Sequence, residues 1–198
     1  MSRTIESAYA AQAQLKEKYP DRKLIIVDTL SISAPQTLLV LKAYEMAAAG
    51  CTIEEVADWL EKNKLRAQAF FTVDDLKYLQ RGGRVSAVAA AMGTMLDLKP
   101  ILVETKEGTL VACSKVRGRK KAISYIVEQS VANIDNQTES IGIILHADCG
   151  NDAEYLRKVL SEKLTDMTIR VENIGPVIGA HAGPGTLAFC FLGKERSR

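Results

Sequence analysis

The sequence predicts an α/β protein in which a partial first parallel α/β layer, residues 1–65, is followed by a mixed-sheet α/β domain, residues 66–198. Three observations carry this. Short, continuous apolar runs such as Leu24-Ile-Ile-Val27 and Ile141-Gly-Ile-Ile-Leu145 read as strands covered on both faces. Helical segments with capping signals alternate with those runs, as in α/β crossovers. The segment Lys106-Glu-Gly-Thr109 joins two strand-like stretches as a hairpin, which adds antiparallel pairing.

Taken in order, residues 3–18 place Ile5, Ala8, Tyr9, Ala11, Ala13 and Leu15 among charges, a helical pattern stopped by Pro20 and Asp21. Lys23 to Val27 is the expected strand, and Asp28 to Pro35 a Ser/Thr-rich loop at its end. A helix over 36–49 ends at Gly50. Thr52-x-x-Glu55 forms a capping box for a further helix to about residue 63. This region holds one strand only, so either it joins the following domain or its sheet partners lie outside the chain.

The second region opens with a strand over Arg66–Val73. Thr72-x-x-Asp75 is a weaker capping candidate for a helix through Leu79, broken by Arg81-Gly-Gly-Arg84. Residues 86–96 are small and apolar and read as a helix, with Pro100 ending that segment. Ile101–Glu104 and Leu110–Lys115 make the hairpin, and Gly118–Ile134 a long amphipathic helix. After the strand at 141–145, Asn151-x-x-Glu154 caps a helix to about Leu164. Strands follow at Met167–Val171 and Thr186–Leu192, separated by a Gly/Pro-rich loop over residues 175–185.

Composition removes several function classes. The chain has 198 residues, 47% hydrophobic and 25% charged, ordinary for a globular protein, with a formal net charge of +2. That near-neutral balance supplies no global field for nucleic acid or anionic membrane, and none is expected as a partner. No stretch approaches the roughly 20 apolar residues of a membrane span, and residues 1–20 lack a secretory apolar region. Cys51, Cys113, Cys149 and Cys190 lie far apart, with His146 and His181 the two histidines. Reduced, buried thiols and no metal site are expected, consistent with a cytoplasmic protein.

Three loop clusters are candidates for chemistry. In Asp28-Thr-Leu-Ser-Ile-Ser33, hydroxyls at a strand's C-terminal end either meet a ligand, as in open α/β sheets, or satisfy a local turn. Arg81-Gly-Gly-Arg84 and Lys115-Val-Arg-Gly-Arg-Lys-Lys121 concentrate cations beside helix ends, either as an anion site or as a solvated face. Gly179-Ala-His-Ala-Gly-Pro-Gly185 surrounds His181 with backbone freedom and rigidity together. No Walker pattern, nucleophile elbow or paired acidic metal ligands are present, so neither a nucleotide cofactor nor a reaction centre is expected.

These clusters in this order resemble the DegV family of bacterial fatty-acid-binding proteins. The resemblance rests on Ser2-x-Thr4-x-x-Ser7-Ala8, Val27-Asp28-Thr29 with Ser31 and Ser33, Phe71 through Ser86, Leu98-Lys-Pro-Ile101, Lys115 through Ala122 and Gly175 through Gly185. It implies two α/β domains sheltering an acyl chain, whose carboxylate is presented to a separate fatty acid kinase for acyl-phosphate formation and phospholipid synthesis. It implies a carrier rather than an enzyme, with a long-chain fatty acid as ligand. By resemblance Ser2, with Ser31 and Ser33, and the loop residue His181 belong to the fatty-acid site. Arg84 and Arg117 match basic positions near the head group or on the kinase-facing surface. Residues 1–65 would then be a remnant of an N-terminal domain that family members begin earlier, with a threonine-bearing Thr-Ser-Gln-Pro motif absent here. Arg3 stands where the family has glycine. A shortened chain that self-associates through the incomplete first sheet, or an interaction module without a competent lipid pocket, are the expectations that follow.

Overall fold

The computed structural model describes residues 2–83, 97–135 and 141–197. Its core is one six-stranded mixed sheet, ordered β3-β2-β1-β6-β4-β5. The strands are β1 (Ala67–Thr72), β2 (Leu98–Glu104), β3 (Leu110–Arg117), β4 (Ile141–His146), β5 (Thr168–Asn173) and β6 (Leu187–Leu192). Every neighbouring pair is antiparallel except β4 and β5, which the helix between them joins as a parallel crossover. The helices are α1 (Thr4–Lys18), α2 (Ser33–Ala48), α3 (Ile53–Asn63), α4 (Leu76–Arg81), α5 (Arg119–Asn133), α6 (Gly150–Lys163) and α7 (Pro176–Ala182).

The central strand β6 is buried at every position, as its unbroken apolar run requires. Successive side chains point to opposite faces, so its two sets differ in size. Leu187, Phe189 and Phe191 join Phe70, Ile126, Leu156 and Leu160 under α5 and α6. Phe189 stacks on Phe191 at 5.5 Å between ring centroids, and Phe191 on Phe70 at 6.3 Å. Ala188, Cys190 and Leu192 turn the other way and meet Ala67, Ala69 and α2 residues Leu38 and Leu39. One face is therefore filled by aromatic rings, and the other is lined by small side chains.

Side-chain caps start α3 and α4. Thr52 caps α3 with a full capping box: its side chain accepts from Glu55 N, and Glu55 accepts from Thr52 N at 2.7 Å. The Glu55 carboxyl is held below the usual carboxylate range, first by that backbone N–H and then by the Thr52 hydroxyl.

Several expectations are corrected. Residues 23–27 form no strand; they have no hydrogen-bonded strand neighbour among the described residues, and a strand exists only through its ladder. The Leu24 carbonyl instead accepts a 2.7 Å bond from Gln12 Nε2. The α4 cap is Asp75, which accepts from Lys77 N at 2.8 Å, whereas Thr72 closes β1. Helix α6 begins at Gly150 behind Cys149, so Asn151 lies inside it and does not cap it. Pro100 does not end a segment: it sits within β2 opposite Lys115. The Gly/Pro-rich stretch 175–185 contains α7, started by Pro176 in the first turn and ended at Gly183, whose φ is +79°. The expected helix over 86–96 lies outside the described residues.

Candidate functional site

The small-residue face of the sheet carries a cavity. Its floor is two cross-strand rows set by register: Ala69 beside Cys190, and Phe71–Ala188–Leu145 across three strands. Ile32, Ser33 and Pro35 at the start of α2 form one wall, and Val177, Ile178, His181 and Ala182 of α7 another. Leu79, Glu104, Leu110, Ile174 and Thr186 complete the lining, together with Ser2. The space measures about 150 Å³. Alanine and cysteine on the adjacent strands β1 and β6 leave this room; aromatic residues at the same positions would close it.

Glycines seat α7 against α4. A Cβ at Gly82 would overlap the His181 imidazole, one at Gly183 the Tyr78 ring, and one at Gly185 the Asp74 carboxylate. The end of α4 at Gly82 and the His181 segment thus pack directly together, and the absent side chain at Gly82 defines where the imidazole sits. Arg119 fixes the far end of the segment: its Nη1 donates to Gly185 O at 2.7 Å, and its Nε to Asp152 at 2.8 Å. Asp74 faces both Lys99 (2.8 Å) and Arg119 (3.6 Å). Thr186, buried at the cavity, donates to Gly183 O at 2.7 Å.

The loop before α2 is held from two sides. Within it, Asp28 accepts from Leu30 N at 3.1 Å and Thr29 from Ser31 N at 3.4 Å, which is the local-turn role weighed for these residues. From outside, Glu104 accepts from Ser31 Oγ at 3.1 Å and from Ile32 N at 3.2 Å. Glu104 pairs with Arg196 at 2.8 Å, both side chains 3% exposed. Burial pushes the Glu104 carboxyl above the usual range, while Arg196, Ile32 N–H and the Ser31 hydroxyl pull the other way. Burial likewise lowers Arg196, with Glu104 opposing. Burial and then the Glu104 charge push the Cys190 thiol well up, so it lies on the cavity floor as a neutral, apolar group.

The sequence candidates are distributed as follows. Ser2, Ser33 and His181 border the one cavity. Ser31 is turned behind it, toward Glu104, and lines a second, larger space of about 420 Å³ beside α1, which Ser2 also borders. Ser2 Oγ donates to Thr4 Oγ1 at 3.0 Å. Arg117 is exposed at the end of β3, opposite Leu98. Arg84 lies outside the described residues. Sequence reasoning missed Glu104, Arg196 and the small-residue floor. The floor had a signal, the alternation of small and large residues in Ala67-Gln-Ala-Phe70 and Ala188-Phe-Cys-Phe191, but the Glu104–Arg196 pair had none. Among the described residues no three His, Cys, Asp or Glu side chains group to hold a metal ion, and no helix is long and apolar enough to cross a membrane.

Fold and site together define a mixed-sheet α/β protein with a largely apolar cavity bordered by hydroxyls and one imidazole. The chain belongs to the DegV family: the family model described as "Uncharacterised protein, DegV family COG1307" matches residues 1–194. A DegV domain-containing protein of Clostridium perfringens is 42% identical over 196 residues, covering 99% of this chain and 67% of that protein. A DegV family protein from Thermus thermophilus, described by its fatty acid binding, is 32% identical with a TM-score of 0.83, covering 97% of this chain and 67% of that one. A fatty acid binding DegV family protein from Streptococcus agalactiae is 28% identical with a TM-score of 0.81, covering 98% of this chain and 69% of that one.

Proposed function

We propose that this chain is a cytoplasmic carrier that binds a long-chain fatty acid, with the tail over the small-residue face and the carboxylate toward Ser2, Ser33 and His181. The observation that carries the reading is the cavity itself: an apolar floor of Ala69, Ala188 and Cys190 with hydroxyl and imidazole groups on its border. A carboxylate leaving water needs such donors, and a hydrocarbon tail needs such a floor. The fatty acid binding of the T. thermophilus and S. agalactiae relatives supports the same ligand class.

The volume sets a scale. A dry cavity of roughly 150 Å³ holds a benzene-sized body, about six carbons. Burial at about 0.8 kcal/mol per methylene makes that portion worth about 5 kcal/mol before ordering costs. A longer tail enters only if α2 and α7 part from the sheet or its remainder stays outside this space.

The family resemblance extends the proposal to a fatty acid kinase that phosphorylates the presented carboxylate, with Arg84 and Arg117 toward head group or kinase and no cofactor on the carrier. Native mass spectrometry after bacterial expression tests binding directly, and an acyl adduct is the expected result. A chain that never carries one is not a lipid carrier. Adding a fatty acid kinase and ATP to the loaded chain tests the second step, with acyl phosphate as the expected product. The second reading, an interaction module without lipid, is favoured by residues 23–27, which run without a strand partner among the described residues, and by exposed Ile25, Val40 and Tyr44. Concentration-dependent self-association without any adduct is its signature.

A further inference from the structure

We propose that Arg196, in the segment after the last strand, is a positioning residue for the ligand cavity: with Glu104 it clamps residues 30–32, and hence Ile32 and Ser33, into the cavity wall. This rests on the fatty-acid reading only for its consequence, not for its geometry. Four hydrogen bonds and one ion pair hold the guanidinium. Nε donates to Ala67 O at 2.8 Å. Nη1 donates to Leu30 O and to Thr105 O, both at 2.9 Å. Nη2 reaches Ser31 Oγ and Glu104 Oε2. One side chain therefore ties together the first residue of β1, the loop before α2 and the end of β2. Glu104 supplies the reciprocal half by accepting from Ser31 Oγ and Ile32 N.

The clamped loop needs such restraint. Leu30 and Ser33 sit at φ +51° and +57°, a region that side chains other than glycine rarely adopt and that persists only where surroundings impose it. The hairpin turn closes on the same point: Gly108, at φ +71°, leaves space where a Cβ would meet Leu30 O at 3.1 Å. Ile32 and Ser33 both line the cavity, so any slack in residues 30–32 moves its wall. The pair also matters electrically. Glu104 lines the cavity, and Arg196 is the cation that keeps its carboxylate from facing an anionic ligand uncompensated.

The test is amide hydrogen exchange on the full chain, paired with dissociation of bound palmitate. Arg196→Lys keeps the charge and loses the fork. Exchange at Leu30, Ser31 and Ile32 is expected to accelerate at least tenfold while β1 and β6 stay as in the parent, and palmitate to leave at least tenfold faster. Ser31→Ala, which removes one partner from each member of the pair and does not threaten the fold, is expected to give a smaller acceleration at the same three amides. Unchanged exchange at those amides in both variants overturns the clamp. Faster exchange with unchanged palmitate dissociation overturns the positioning role. A parent that retains no palmitate overturns the binding reading and the ligand consequence with it, while the exchange results still decide the clamp.

Discussion

Ala188→Leu separates the cavity from ordinary core. Ala188 is buried at the centre of the cavity floor, between Phe71 on β1 and Leu145 on β4. The substitution adds three carbons into space of about 150 Å³. In the lipid-free protein those carbons leave water without displacing packed atoms, a gain of up to about 2 kcal/mol at roughly 0.8 kcal/mol each. In the loaded protein they occupy about half of the six-carbon volume, so the ligand loses about the same 2 kcal/mol, close to a thirtyfold weakening. Stability and affinity are thus expected to move in opposite directions. Denaturant unfolding of delipidated protein and palmitate dissociation measured on the same preparation read the two quantities. A variant destabilised by more than about 2 kcal/mol, the range of overpacking, with palmitate held as in the parent, would refute the assignment of this space to the tail.

Other consequences follow from the same contacts. Gly82→Ala is permitted by a φ of −73°, yet its methyl group overlaps the His181 imidazole. Thermal stability within about 1 kcal/mol of the parent, with palmitate lost at least tenfold faster, is expected, because a hydrogen bond to a charged group is worth about 1.5–3 kcal/mol. Phe189→Ala, on the aromatic face, is expected to cost about 3–5 kcal/mol and to lower the melting temperature without preference for the loaded or empty form. Removing the α3 cap by Thr52→Ala is expected to cost about 1 kcal/mol and to return the Glu55 carboxyl toward its ordinary value in a proton titration. Since Glu55 is held low in the folded chain, its contribution is present above the unfolded carboxylate value and is lost as pH falls through the lowered one. The parent should show that acid-side loss more strongly than Thr52→Ala, which loses the hydroxyl and keeps the backbone N–H of residue 52.

Elements that depend on neighbours along the chain could be read directly from the residues. The Thr52–Glu55 capping box, the hairpin around Gly108, the unbroken apolar run of β6 and the helix broken at Gly82 were all legible, because each is settled within a few residues. Loop composition marked Ser33 and His181 as candidates, family likeness added Ser2, and the structure sets those three around one space. What depends on distant partners was not legible. The run Leu24-Ile-Ile-Val27 has strand composition, but a strand needs a second chain segment beside it, and composition does not supply one. Alternating small and large residues in β1 and β6 were visible, while register and the side on which α2 lies decided that the small set would floor a cavity. Glu104 and Arg196 looked like an ordinary strand end and an ordinary basic tail. Only folding removes both from water, and a charge taken into the interior must then find its counter-ion wherever the chain has placed it.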